Sequence, residues 1–102
     1  MGAKGHTVIA EFSIHPIGEG TSLSKYVRSA LGELREARGV RLMVTPMGTV
    51  MEANNLADIL SAVQRSHEAV FKRGAKRVSF TLRVDDRRDK ARRMEDKVAA
   101  VT

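Results

Sequence analysis

The chain has 102 residues, 42% of them hydrophobic and 29% charged, with a formal net charge of +6 and no cysteine. This length suits one domain with one core, and the balance lies outside the disordered regime. The missing cysteine excludes a disulfide framework, a thiolate nucleophile and a cysteine-bound zinc. The short polar MGAKGH start and the lack of a run near the roughly 18 apolar residues of a membrane span lead us to expect a cytoplasmic protein away from the membrane.

Residues 1–5 are expected to be disordered. HTVIAEFSI (6–14) then alternates, with Val8, Ala10, Phe12 and Ile14 on one side and Ile9, Glu11 and Ser13 on the other, as a strand does. After a HPIGEG loop, TSLSKYVRSALGELREAR places Leu23, Tyr26, Val27, Ala30, Leu31 and Leu34 at helical spacing behind Thr21 or Ser22 as N-cap, with Gly39 as the stop. VRLMVT (40–45) reads as a second strand, and Thr45-Pro46-Met47-Gly48 as a turn of type I into TVMEA. Asn55 to Asp58 resembles a capping box and opens a second amphipathic helix that ends at Gly74. RVSFTLRVD (77–85) alternates again, and a short C-terminal helix is expected over residues 89–101. The order βαββαβ implies an α+β ferredoxin-like sandwich: a four-stranded antiparallel sheet with two helices on one face, forming a single domain over residues 1–102.

Two helices cover one face of such a sheet, so the other meets water, a ligand or a second subunit. Strand alternation assigns to it Ile9, Glu11, Ser13, Met43, Thr45, Thr49, Met51, Ser79, Thr81 and Arg83. This mixture of hydroxyls, apolar groups, one acid and one base suits subunit packing beside small polar pockets, although a merely solvated sheet is as consistent with the pattern.

The net charge raises the question of nucleic acid. Eleven basic against seven acidic groups lie in residues 1–81, six against three in residues 82–93, and one against two beyond, so the excess is spread out. An RNA-binding sheet of this topology stacks bases on aromatics of its central strands, and here Phe12 and Phe80 fall on the helix side while tryptophan is missing. Sequence-specific RNA binding is therefore rejected.

Among individual residues, Ser22 and Ser24 sit in a Gly- and hydroxyl-rich entry to a helix N-terminus, either as caps or as hydrogen-bonding groups for a ligand. Glu11 and Glu52 stand in strands, where Glu is disfavoured, and either accept from a ligand N–H or pair with an arginine such as Arg83. His67 lies on the apolar stripe of the second helix and reads as a packing group rather than a catalyst. No Ser-His-Asp, paired-carboxylate or metal spacing is supported. Asp85, Asp86 and Arg87 are read as loop residues after the last strand, placed to touch a ligand or a neighbouring chain, and residues 88–97 as a salt-bridged solvated helix.

IAEFSIHPIGEGTSLSKYV, PMGTVMEAN, SHEAV and GAKRVSFTLRVDDRRD, in this order and covering nearly the whole chain, resemble the thiamine-binding protein family of small ferredoxin-like proteins. The resemblance implies a non-enzymatic binder of thiamine or its aminopyrimidine (hydroxymethylpyrimidine) moiety, with no other cofactor, acting in salvage, delivery or sensing. It also implies self-association as a homotetramer of sheet-paired dimers. Family patterns often read Glu-Gly where this chain has Glu52-Ala53. The matching positions include Glu11, Ser22, Ser24, Thr49, Glu52, Asp86 and Arg87, the expected ligand-binding set: a carboxylate would take the amino group, hydroxyls the ring nitrogens, and Asp86 with Arg87 the rim. Two other classes share the topology. An acylphosphatase-like hydrolase needs an arginine in the loop after the first strand, and HPIGEGTS has none. An amino-acid-sensing regulatory module would pair similar sheets across subunits.

Overall fold

The structure, a computed structural model, describes residues 6–102, so the expectation for residues 1–5 lies outside the described residues. Its elements are β1 (Thr7–Pro16), α1 (Ser24–Glu36), β2 (Arg41–Thr45), β3 (Gly48–Ala53), α2 (Leu56–Lys72), β4 (Val78–Arg87) and α3 (Met94–Ala99). The strands form one antiparallel sheet in the order β2-β3-β1-β4, the ferredoxin-like arrangement that the sequence predicts.

The alternation of β1 works as read: Val8, Ala10, Phe12 and Ile14 are all buried against the helices. Tyr26, Ala30 and Leu34 of α1 and Ile59, Ala62, Val63 and Val70 of α2 complete the core. Each large aliphatic or aromatic side chain buried there contributes about 1.5–3 kcal/mol, against about 0–1 kcal/mol for an exposed ion pair. The sheet–helix interface therefore holds the fold. Ser66, fully buried on α2, donates to the Ala30 carbonyl at 3.0 Å and fixes the two helices side by side.

Local signals are met unevenly. Asn55 caps α2 as expected, accepting from the Asp58 N–H at 2.8 Å while its amide donates to the Asp58 carboxylate at 3.1 Å. At α1 the expected cap fails. Leu23 occupies the N-cap with φ −104° and ψ 3°, outside the extended backbone that lets a hydroxyl turn back, and no side chain caps the helix. Gly39, at φ +74°, turns the chain after α1.

Two boundaries and one face assignment differ from the sequence reading. β4 runs to Arg87, because Thr7, Val8 and Ile9 of β1 pair with Arg87, Asp86 and Asp85; ladder hydrogen bonds outweigh the poor strand preference of aspartate. The C-terminal helix is six residues long rather than the thirteen of 89–101. Thr49 and Met51 do not belong to the uncovered face: pairing of Phe12 with Thr49 and Ala10 with Met51 turns them toward the helices, and Val50 and Glu52 take the outer positions. Met51 is accordingly fully buried.

Candidate functional site

The face of the sheet away from α1 and α2 carries Ile9, Glu11 and Ser13 from β1, Met43 from β2, Val50 and Glu52 from β3, and Thr81, Arg83 and Asp85 from β4. Its Thr7 end is partly covered. The segment after β4 folds back so that the Met94 N–H donates to Glu52 at 2.7 Å, and Met94 itself is 5% exposed although it lies outside the main core. Arg41 grips two carboxylates at once: Glu52 through bonds of 2.9 and 3.1 Å, and Glu95 of α3 through bonds of 2.7 and 3.1 Å. Lys97 pairs with Asp85. These contacts fasten α3 against the free face and make it a wall there.

The four carboxylates that the strands carry differ in what they meet. Burial alone would raise the Glu52 carboxyl, but the Arg41 guanidinium, the Met94 N–H and Arg93 outweigh it and hold the group below its ordinary value. Asp86, turned to the helix side, is bound by Arg88 and His6, and Arg88 first, then His6, brings it down to about 2. Asp85 has Lys97. Glu11 is exposed at mid-sheet and, among the described residues, has no hydrogen-bond partner. Arg83 stands directly across from it on β4 yet forms no ion pair with it. The pairing weighed for both glutamates is thus made by Glu52, with Arg41, and not by Glu11.

The expected ligand-binding residues do not converge on one point. Glu52, Asp86 and Arg87 gather at the Thr7 end, where Arg87 is engaged with Asp89 at 2.6 and 3.0 Å. Glu11 lies mid-sheet, and Thr49 lines a groove on the opposite side. Ser22 and Ser24, both exposed, lie past the Pro16 end, roughly 26 Å along β1 from the level of Asp86. His67 is a packing group, its ring edge-on to Phe71 and Phe80 at centroid distances of 5.0 and 5.8 Å.

Arg41, Met94 and Glu95 escaped the sequence reading. A signal for Arg41 existed: counting outward from the Thr45 and Gly48 pair puts Arg41 opposite Glu52 and Leu42 opposite Met51. Glu95 carried none, because its partner is 54 residues away in sequence.

Fold and site together define a small α+β sandwich module with one free sheet face. Among the described residues, no cluster of three or more His, Asp or Glu is arranged to hold a metal ion, and no helix is long and apolar enough to cross a membrane. The chain belongs to the thiamine-binding protein family, which it matches over residues 10–102. A UPF0045 protein of Methanothermobacter thermautotrophicus is 43% identical over 95 residues, 92% of this chain and 95% of the relative. The crystal structure of a hypothetical protein from Methanocaldococcus jannaschii superposes with a TM-score of 0.85 at 37% identity, covering 93% of this chain and 95% of that one. A Thermotoga maritima protein named for thiamine biosynthesis or salvage shares the fold, with a TM-score of 0.76 at 21% identity over 94% of this chain and 99% of the other. Membership supports a general thiamine-related role, in a family that is not a known enzyme class.

Proposed function

We propose that the chain binds thiamine or its aminopyrimidine moiety, without transforming it, on the free sheet face beside Glu11. The observation that carries this reading is the state of Glu11: the one strand carboxylate with no partner among the described residues, set between Val50 and Arg83. A 4-aminopyrimidine offers an amino N–H to such a carboxylate and ring nitrogens to hydroxyls. The cross-strand pair Ser13 and Thr81, one step along the face from Glu11, supplies the hydroxyls, and Ile9, Met43 and Val50 supply apolar contact for the methylated ring. In this reading Glu52, Asp86 and Arg87 brace the Thr7 end, and Glu52 is excluded as the amino-group acceptor because Arg41 and Met94 already occupy its oxygens.

Glu11 is exposed in the isolated chain, and in this reading a second copy completes the site. β4 is a ten-residue edge strand with Phe80 44% and Val84 39% exposed, the kind of edge that pairs with another strand. Pairing there, followed by packing of two such dimers, gives a homotetramer that shields Glu11 and strengthens its hydrogen bonds.

A thermal-shift screen tests the function. A ligand at a hundred times its dissociation constant adds about 2.7 kcal/mol, a rise of about 10 °C or more for a domain of this size. Thiamine or hydroxymethylpyrimidine is expected to give that rise, and amino acids and acetyl phosphate none. A response to amino acids alone, or turnover of acetyl phosphate, would replace this reading with one of the two alternatives. Sedimentation tests the assembly: a monomer at micromolar concentration contradicts it.

A further inference from the structure

Between α3 and the Pro16 end, β1 and β4 present three cross-strand pairs on the free face: Glu11 with Arg83, Ser13 with Thr81, and His15 with Ser79. Glu11 is the one acid in this stretch of the face, since β2 and β3 add only Met43, Thr45, Gly48 and Val50. Arg83 is exposed and, among the described residues, makes neither a hydrogen bond nor an ion pair. Asp85, two residues further along the same face, is already paired with Lys97. The side chains of Ser13, Thr81 and Ser79 also make no hydrogen bond among the described residues, whereas Thr45 on β2 donates to the Gly48 carbonyl at 3.0 Å. This strip therefore combines one carboxylate with several uncommitted donors. At the Thr7 end, by contrast, Glu52 and Asp85 have Arg41 and Lys97 as partners.

We infer that Arg83 selects an anionic form of the ligand, so that the free face takes the phosphate monoester of the hydroxymethylpyrimidine in preference to thiamine. This rests on the proposal that Glu11 receives the pyrimidine amino group. In that pyrimidine the amino and hydroxymethyl groups stand on neighbouring ring carbons, and a phosphate on the hydroxymethyl lies about one strand spacing from the amino group, roughly 4.8 Å. The β1–β4 ladder sets Glu11 and Arg83 directly opposite one another, at a comparable separation. The ester meets both at once, its amino N–H donating to the carboxylate on β1 and its phosphate oxygens accepting from the guanidinium on β4. A monoester carries close to two negative charges near neutral pH and three acceptor oxygens, two of which match the guanidinium fork. Thr81, on the same strand and face roughly 7 Å along, serves the third and leaves Ser13 for a ring nitrogen. Thiamine carries a permanently cationic thiazolium on the same methylene, which this arrangement sets beside the Arg83 cation with like charges opposed.

Calorimetric titration tests it with four probes: the pyrimidine monophosphate, hydroxymethylpyrimidine, thiamine and inorganic phosphate. The monophosphate is expected to bind about tenfold or more tighter than hydroxymethylpyrimidine or thiamine, with an advantage that shrinks as salt rises. Inorganic phosphate is expected to give no heat, because it lacks the amino group that Glu11 receives. Arg83→Gln should bring the monophosphate to within about twofold of hydroxymethylpyrimidine, and Arg83→Lys, which keeps the charge but loses the fork, should retain part of the advantage. If hydroxymethylpyrimidine or thiamine binds and the monophosphate binds no tighter, the inference falls while the proposed function stands. It falls in the same way if Arg83→Gln weakens hydroxymethylpyrimidine and its monophosphate equally, which would leave Arg83 only orienting Glu11. Inorganic phosphate binding as tightly as the monophosphate also overturns it, since the site would then read an anion and not a pyrimidine. Silence of all four probes overturns the inference and the proposed function together.

Discussion

Glu52→Gln probes how α3 is held. The substitution keeps a side-chain oxygen for the Met94 N–H but removes the charge that Arg41 meets through two bonds. Breaking a fully buried ion pair costs about 3–5 kcal/mol and an exposed one about 0–1 kcal/mol. Glu52 is 9% exposed, whereas the Arg41 side chain is 41% exposed and keeps Glu95 as a partner, so the expected loss is intermediate, about 1–2 kcal/mol. A helix of six residues does not stand alone in water, so this loss should fall on the docking of α3 before the fold as a whole. Amide hydrogen exchange at residues 94–99 is then expected to quicken about 5- to 30-fold, while the β1 amides from Val8 to Ile14 keep their protection. Unchanged exchange in α3 would refute the clamp. Equal loss in α3 and β1 would refute the claim that α3 is a separately detachable wall.

Other consequences follow from single contacts. A Cβ at Gly48 would stand 2.8 Å from the Phe12 carbonyl oxygen, a backbone atom that cannot turn away, so Gly48→Ala should lower stability to urea by about 1–3 kcal/mol; an unchanged midpoint would show that the hairpin is looser than its register implies. Ser66→Ala removes the bridge to Ala30 and should cost about 1 kcal/mol, read from the same denaturation curves. Arg41 holds the Glu95 carboxyl down to about 2 from its usual 4.5, so the bond contributes fully above pH 4.5 and is lost as pH falls through about 2. A carbon-13 titration of Glu95 with its midpoint near 4.5 would contradict that contact.

Local pattern and long-range pairing divide what the sequence could reveal. β1 was legible because Val8, Ala10, Phe12 and Ile14 share one phase against a single apolar residue, Ile9, between polar ones in the other, and α2 because Asn55 and Asp58 form their cap within four residues. β3 was not. Val50 is apolar in one phase and Met51 in the other, so alternation alone cannot choose, and the choice is made by pairing with Ala10 and Phe12. The ends of β4 and α3 depend on partners more than forty residues away: Thr7 to Ile9 draw Asp85 to Arg87 into the sheet, and Glu52 receives Met94. Of the candidate site, Glu11 and the existence of a free face were readable. That Glu11 alone among the strand carboxylates has no partner among the described residues was not, because it rests on where Arg41, Lys97, Arg88 and His6 end up.

The most direct test is calorimetric titration of thiamine and of hydroxymethylpyrimidine into the wild-type chain and Glu11→Gln. The account predicts saturable heat in the micromolar range for at least one of the two compounds. It also predicts that Glu11→Gln, which keeps an acceptor but removes the charge, weakens that binding about tenfold or more, corresponding to about 1.5 kcal/mol for a charge-assisted hydrogen bond. No heat with either compound, or the same affinity in Glu11→Gln, would contradict it.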